Sequence, residues 1–337
     1  MRLDWRSALG IVLGALLLWW TLHDAPMAGI IAALRASNGW LFAAATVAAT
    51  LIFPVRARRW QTILEPVAPG MPLGPLWRAT AVGAMASNVL PGKAGELVRP
   101  YALTRETDRV GFPAAIASVA VDRVFDAVVV LPLMFAALLD PAFPPGFRPF
   151  GQPIAVLAGG LIGLVGVLVV MLYTIVFFPA RLIRVWELVS RRVAPALERR
   201  GADALAAFAA GLGVLRHPGR FAAVYAWTVA HWLLHALALW LGFRAVGIVV
   251  PFSAALFVQG LLSLAAAIPA APGFFGLFEA AAKEGLRVYG VSSTLAVSWA
   301  LGYHMLTFVP ITVFGAIYFA RLGIRMADVA RASGTAR

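Results

Sequence analysis

The sequence predicts an all-α polytopic membrane protein with about six transmembrane helices plus two re-entrant hairpins, arranged as an inverted repeat. Three observations lead there. The 337 residues are 61% hydrophobic and only 13% charged, against about a quarter charged in soluble domains, and mean hydropathy is +0.86. Six apolar runs approach the roughly 20 residues that a helix needs to cross about 30 Å of hydrocarbon. Two shorter apolar segments each run into a Pro/Gly break that is repeated along the chain.

The runs fall at about Ser7–Leu22, Gly39–Val55, Phe112–Leu139, Ile154–Phe178, Phe221–Phe243 and Ser292–Ala320. The first follows Arg2 and Arg6 like a signal peptide, but five further runs and the Trp19-Trp20 pair mark it as an uncleaved first helix. Leu64–Trp77, with Pro66, Pro69, Pro72 and Pro75, reads as an irregular or interfacial loop. Ala180 to Arg220 alternates apolar and basic residues and reads as amphipathic helix on the inner leaflet. One membrane domain, 1–337, divides into two leading helices (1–60), a first hairpin repeat (78–178), a basic connector (180–220), a second hairpin repeat (221–320) and a basic tail (321–337).

With the N-terminus inside, 22 basic residues fall in cytoplasmic segments against 5 outside, and Arg123 lies within the membrane. Both termini are therefore expected in the cytoplasm. The formal charge of +13 then reflects topology and attraction to anionic inner-leaflet lipids, and nucleic acid is not an expected partner. With no cysteine in the chain, disulfides, thiol catalysis and Cys-ligated metals are excluded.

The broken segments are Ala79–Leu90, followed by PGKAGE, and Ser253–Ile268, whose end runs into IPAAPGFFGLFE. Pro91, Gly92 and Gly95 share a PGxxG pattern with Pro272, Gly273 and Gly276; Glu96 and Glu279 follow, and Pro269 precedes the second break where Asn88 precedes the first. At an offset of 181 residues, Pro91 maps to Pro272 and Arg123 to His304. Short broken segments in corresponding positions of two halves mark a substrate site at the repeat interface.

The third run carries Asp122, Arg123 and Asp126 in SVAVDRVFDAVVV. At about 1.5 Å per residue from Phe112, the two aspartates lie about 15 and about 21 Å deep. Charges at such depth are costly unless paired or hydrated, and so are candidates for function. Arg123 reaches Asp126 at i,i+3 or pairs with the hairpin, and the alternative to function is a structural charge network that pins this helix to the hairpin through Lys93, Arg99 or Glu96. His231 and His235 share a helix face, but with Trp232 where HExxH needs Glu and no third ligand, no metal is expected. Gln259, Ser263, Tyr303 and His304 are weaker candidates for a polar cavity lining.

NVLPGKAGELVRPYALTRETDRVGFPAAIASVAVDRVFD and IPAAPGFFGLFEAAAKEGLRVYGVSSTLAVSWALGYH resemble the two signatures of the lysylphosphatidylglycerol synthase transmembrane region, the flippase-like membrane proteins. The resemblance runs from about Arg6 to Ala320 and implies movement of lipids between leaflets. It carries over to Asn88, Pro91, Gly92, Gly95, Glu96, Arg99, Asp122, Arg123, Asp126, Pro272, Gly273, Gly276 and Glu279. The chain ends at Arg337 and is expected to lack the synthase domain, resembling stand-alone members, including those associated with hopanoids.

Together these readings lead to the expectation of a lipid transporter in a bacterial cytoplasmic membrane, not an enzyme, with no cofactor. A headgroup would meet Asn88, Lys93, Glu96, Arg99, Asp122, Arg123, Asp126, Glu279 and His304, while Pro91, Gly92, Gly95, Pro269, Pro272, Gly273 and Gly276 shape the breaks. The partners expected are a lipid with a charged or polar headgroup and, at the membrane surface, lipid-biosynthesis enzymes. An intramembrane lipid-modifying transferase and a non-transporting scaffold remain open alternatives.

Overall fold

Helix follows wherever the apolar runs lack Pro-Gly pairs, and in a membrane it is the conformation that satisfies every backbone polar group within one segment. The computed structural model describes residues 5–90, 94–144, 154–193, 195, 198–211, 217–266, 268, 271–326 and 328–329. All regular structure among them is helical. The helices are α1 (Trp5–His23), α2 (Met27–Arg35), α3 (Gly39–Leu64), α4 (Leu73–Val89), α5 (Gly95–Glu106), α6 (Phe112–Leu138), α7 (Ile154–Phe177), α8 (Pro179–Val193), α9 (Glu198–Gly211), α10 (Pro218–Ala245), α11 (Phe252–Ala265), α12 (Leu277–Arg287) and α13 (Ser293–Arg321).

The six expected runs correspond to α1, α3, α6, α7, α10 and α13. By length and composition, α3, α10 and α13 are apolar and long enough to cross a membrane, and the bent pair α1 and α2 makes a fourth candidate. The bend is 82°, placed where Pro26 supplies an extended residue ahead of α2. α6 has 27 residues, with Asp122 and Asp126 buried and Arg123 partly exposed.

Two expectations need correction. Leu64–Trp77 is irregular only to Pro72: α4 starts at Leu73, because Pro72 and Pro75 fall at the cap and in the first turn, where a missing N–H breaks no helical bond. The second run does not end at Val55, since α3 continues to Leu64 through Pro54 and carries Arg56 and Arg59 into the protein. Arg59 is fully buried, so it is not a surface charge at a span end.

The repeat extends further than the breaks. Adding 181 to the bounds of α5 gives 276–287, against 277–287 for α12; α3 gives 220–245 against 218–245, and α6 gives 293–319 against 293–321. Packing follows the same correspondence: α4 lies on α5 and α13, as α11 lies on α12 and α6, and α3 lies on its own counterpart α10. Such reciprocal contacts are those of a two-fold relation.

The equivalent helices α3 and α10 run antiparallel. The C-terminal half of α3 (Ala57, Trp60, Ile63) shares a core with Val224 near the start of α10, and with α4, α5 and α6. The N-terminal half of α3 (Phe42, Ala45, Ala49) packs with the end of α10 (Ala236, Leu239, Phe243) and with α11, α12 and α13. The Asn38 N–H donates to the Ala245 carbonyl at 2.8 Å, tying the start of α3 to the end of α10.

Each break brings backbone very close to a neighbour. A Cβ on Gly95 would lie 2.0 Å from the Gly83 carbonyl oxygen, so glycine lets α5 seat against α4. Gly276 has φ +83°, and a Cβ there would lie 1.9 Å from the carbonyl oxygen of Gly14 on α1, a place that only glycine fits. Between α11 and α12 the chain makes one 3-10 turn, Pro272–Phe274, with Gly273 at φ +68°. Pro91, Gly92, Lys93 and Pro269 lie outside the described residues.

Candidate functional site

α3 and α6 cross so that a buried carboxylate meets three guanidinium groups. Asp122 is fully buried; it lies 2.5 Å from Nη2 of Arg59, 2.8 Å from Nη1 of Arg99 and 3.3 Å from Nη2 of Arg56. Arg59 also donates to Asp126 at 2.7 Å through its other terminal nitrogen, so one planar fork joins the i,i+4 aspartates of α6. Arg99 is held from a second side by the Trp60 ring, 4.0 Å from its centroid. The Trp60 indole N–H donates to Ser118 on α6 at 2.7 Å. These contacts fasten α3, α5 and α6 together.

On the other side of this network lies a cavity of about 590 Å³, lined from both halves of the repeat. Arg56, Asn88, Glu96, Arg123, Asp126, His231, His235, Ser263, Tyr303 and His304 are among its lining. Arg123 spans the wall, 3.2 Å from Glu96 and 3.5 Å from Asp126. The side chains of Arg123 and Glu96 are 46% and 39% exposed, so this pair is the more accessible part of the network. Asp126 also accepts from the indole N–H of Trp232 at 3.0 Å, which ties α6 to α10. Asn88 donates to Thr312 at 2.8 Å, joining the end of α4 to α13.

The second half contributes a different wall. Glu279, fully buried, accepts the Gly276 N–H at 2.7 Å and thereby caps α12. Its other oxygen lies 2.7 Å from His304 Nδ1. The imidazole stacks on Phe275, centroids 4.6 Å apart, and lies 4.4 Å from Phe278. Lys283, one turn on, points away from this pair to Asp24 and the Thr21 carbonyl at the end of α1. No group of three or more potential metal ligands occurs among the described residues.

The sequence profile described as "Lysylphosphatidylglycerol synthase TM region" matches residues 7–315. The chain belongs to this family. It is also similar to part of the glycosyltransferase AglD of Haloferax volcanii, 30% identical over 134 residues, which is 40% of this chain and 21% of that protein. A UPF0104 membrane protein of Methanothermobacter thermautotrophicus is 33% identical over 95 residues, 28% of each chain. The chain thus matches about a quarter of the length of these relatives. The family assignment and the apolar helices make this an integral membrane protein.

Within this family member, the expected site residues divide into two shells. Asn88, Glu96, Arg123, Asp126 and His304 line the cavity. Asp122, Arg99 and Glu279 are buried behind them, with Asp122 held to Arg56 and Glu279 to His304 of the lining. The fourth expected cation, Lys93, lies outside the described residues. Sequence reasoning missed Arg56 and Arg59 as ligands of Asp122, and Trp232 as a ligand of Asp126. A signal for Arg59 was present: it lies on the same helical run as the second span, with only Pro54 between.

Proposed function

We propose that the protein moves a polar- or charged-headgroup lipid between the two leaflets, with the headgroup crossing in the cavity between the halves and the acyl chains staying in the bilayer. The observation that carries this reading is the cavity lining: a partly exposed Arg123–Glu96 pair beside Arg56 and Asp126, at a depth where charges are costly unless they serve a ligand or one another. Antiparallel equivalent helices with a broken segment in each half suit alternating access around such a site. The breaks are read as re-entrant, and the membrane as a bacterial cytoplasmic membrane with both termini inside. On that inner face α8, which carries Arg181, Arg184, Arg191 and Arg192 beside exposed Val185, Leu188 and Val189, would lie against anionic lipid.

Transport fits better than catalysis because the carboxylates are already engaged. Asp122 is surrounded by three arginines and Asp126 by two arginines and an indole, which leaves neither poised as a general base. The glycosyltransferase name of the Haloferax relative favours a second reading, modification of the same lipid. Leaflet exchange in proteoliposomes tests both, with headgroup-varied labelled lipids and wild type beside Glu96→Gln and Arg123→Gln. Transport predicts faster crossing of one headgroup class, lost in the folded variants. Recovery of chemically altered lipid would establish the second reading, and crossing at the empty-vesicle rate by folded protein would rule out transport.

A further inference from the structure

The two halves build the same cross-helix pair with different chemistry. In the first, a cation on the long helix α6 meets a carboxylate on the short helix before it, Arg123 with Glu96 at 3.2 Å. In the second, at the position 181 residues on, His304 of α13 meets Glu279 of α12 at 2.7 Å. A guanidinium is charged at all working pH, whereas imidazole exchanges its proton near neutrality. In the second pair His304, and not Glu279, lines the shared cavity, and its side chain is only 10% exposed.

We propose that His304, held by Glu279, is a proton-binding site that couples transport to a proton, and that the lipid carried with the proton is anionic. This rests on the transport reading above. Nδ1 stays on the carboxylate, so the exchangeable proton is the one on the other ring nitrogen. Few other ionisable groups address the ring. On α12 these are Glu279 and Lys283, the latter committed to Asp24 and Thr21 of the α1 end. Tyr303 is its neighbour on α13, and no ionisable residue occurs on α11. Across the cavity lie Arg56 on α3, Glu96 on α5, Arg123 and Asp126 on α6, and His231 and His235 on α10.

Charge balance supplies the lipid class. Among the described residues the first half places four arginines (56, 59, 99, 123) against three carboxylates (96, 122, 126). Protonation of His304 adds one positive charge, which one phosphodiester neutralises. Loaded with proton and anionic lipid, or empty of both, the site carries the same net charge, so the crossing buries no added charge, the costly condition in a membrane.

The test uses full-length protein in vesicles with the membrane potential clamped and a pH step imposed. The probe is acyl-labelled phosphatidylglycerol, with labelled phosphatidylcholine as the neutral comparison. Wild type is expected to accumulate phosphatidylglycerol in the leaflet on the alkaline side, by up to about tenfold per pH unit for one proton per lipid. His304→Gln, which cannot supply the compensating charge, is expected to lose this accumulation. Phosphatidylglycerol that crosses without responding to the gradient would overturn proton coupling and leave transport standing; a response by phosphatidylcholine alone would overturn the anionic assignment. If neither probe crosses, transport falls, and the proton site is decided separately by NMR of protein labelled with ¹⁵N at its five histidines. The signal missing in His304→Gln must change with pH; a signal constant over the pH range in which the protein stays folded would overturn the site.

Discussion

The first half of the repeat is joined by charge and the second by aromatic packing, although their helices correspond almost residue for residue. At the 181-residue offset, Asp122 becomes Tyr303, Asp126 becomes Thr307 and Arg59 becomes Trp240. Tyr303 stacks in a cluster with Trp299 and Phe278, where Asp122 gathers Arg56, Arg59 and Arg99. One backbone plan therefore tolerates two ways of joining a long helix to a broken segment. The cavity between them has one wall carrying Arg56, Glu96, Arg123 and Asp126 and another carrying Tyr303 and His304.

The largest contrast is expected on removing the central carboxylate of each half. Asp122→Ala leaves Arg99 buried without its anion and Arg59 with Asp126 alone, and should cost about 3–5 kcal/mol. Glu279→Gln keeps an acceptor for the Gly276 N–H and should cost about 1–2 kcal/mol. Thermal unfolding in detergent measures both, and equal losses would erase the distinction between the halves. Next come the breaks: Gly276→Ala forces a side chain onto a positive φ and into the Gly14 carbonyl, for a loss of about 1–3 kcal/mol. Gly95→Ala meets the Gly83 carbonyl oxygen without the positive φ, so any smaller loss in the same melt measures the relief that α4 gains by shifting.

Smaller effects sharpen the comparison. Trp60→Phe keeps a ring for Arg99 but loses the hydrogen bond to Ser118, with an expected cost of about 1 kcal/mol. Arg123→His gives the first half the titratable cation of the second. Its half-exposed site should keep the fold, and lipid exchange should become fastest below about pH 6.5; a flat pH profile would show that Arg123 does not act through its charge. Smallest of all, Arg191→Ala on α8 breaks an exposed pair with Glu198 and should leave the melting temperature within the scatter of wild type.

Much of this plan is legible in the sequence because its signals are local. The spans are set by apolar length, the breaks by Pro91-Gly92 and Pro272-Gly273, and the repeat by the offset that aligns Arg123 with His304. What stayed hidden depends on tertiary contact. Arg56 and Arg59 read as basic residues flanking a span, and only their partners on α6, 66 and 67 positions away, show them to be interior. The likeness of the two cross-helix pairs was hidden as well, because Glu96 and Glu279 are separated by 183 positions rather than 181, and only the packing of each short helix on the next brings them to equivalent partners. The α1–α2 bend left only a weak mark, one proline after a charged residue.

The most direct test of a cavity that carries headgroups uses the absence of cysteine in this chain. Ser263→Cys places one thiol in the cavity lining, and a membrane-impermeant thiol reagent is applied to each face of oriented proteoliposomes while leaflet exchange is followed. A transporting cavity predicts labelling from both faces and loss of exchange once the thiol is modified. Labelling that leaves exchange intact, or a thiol reached from one face alone, would contradict it.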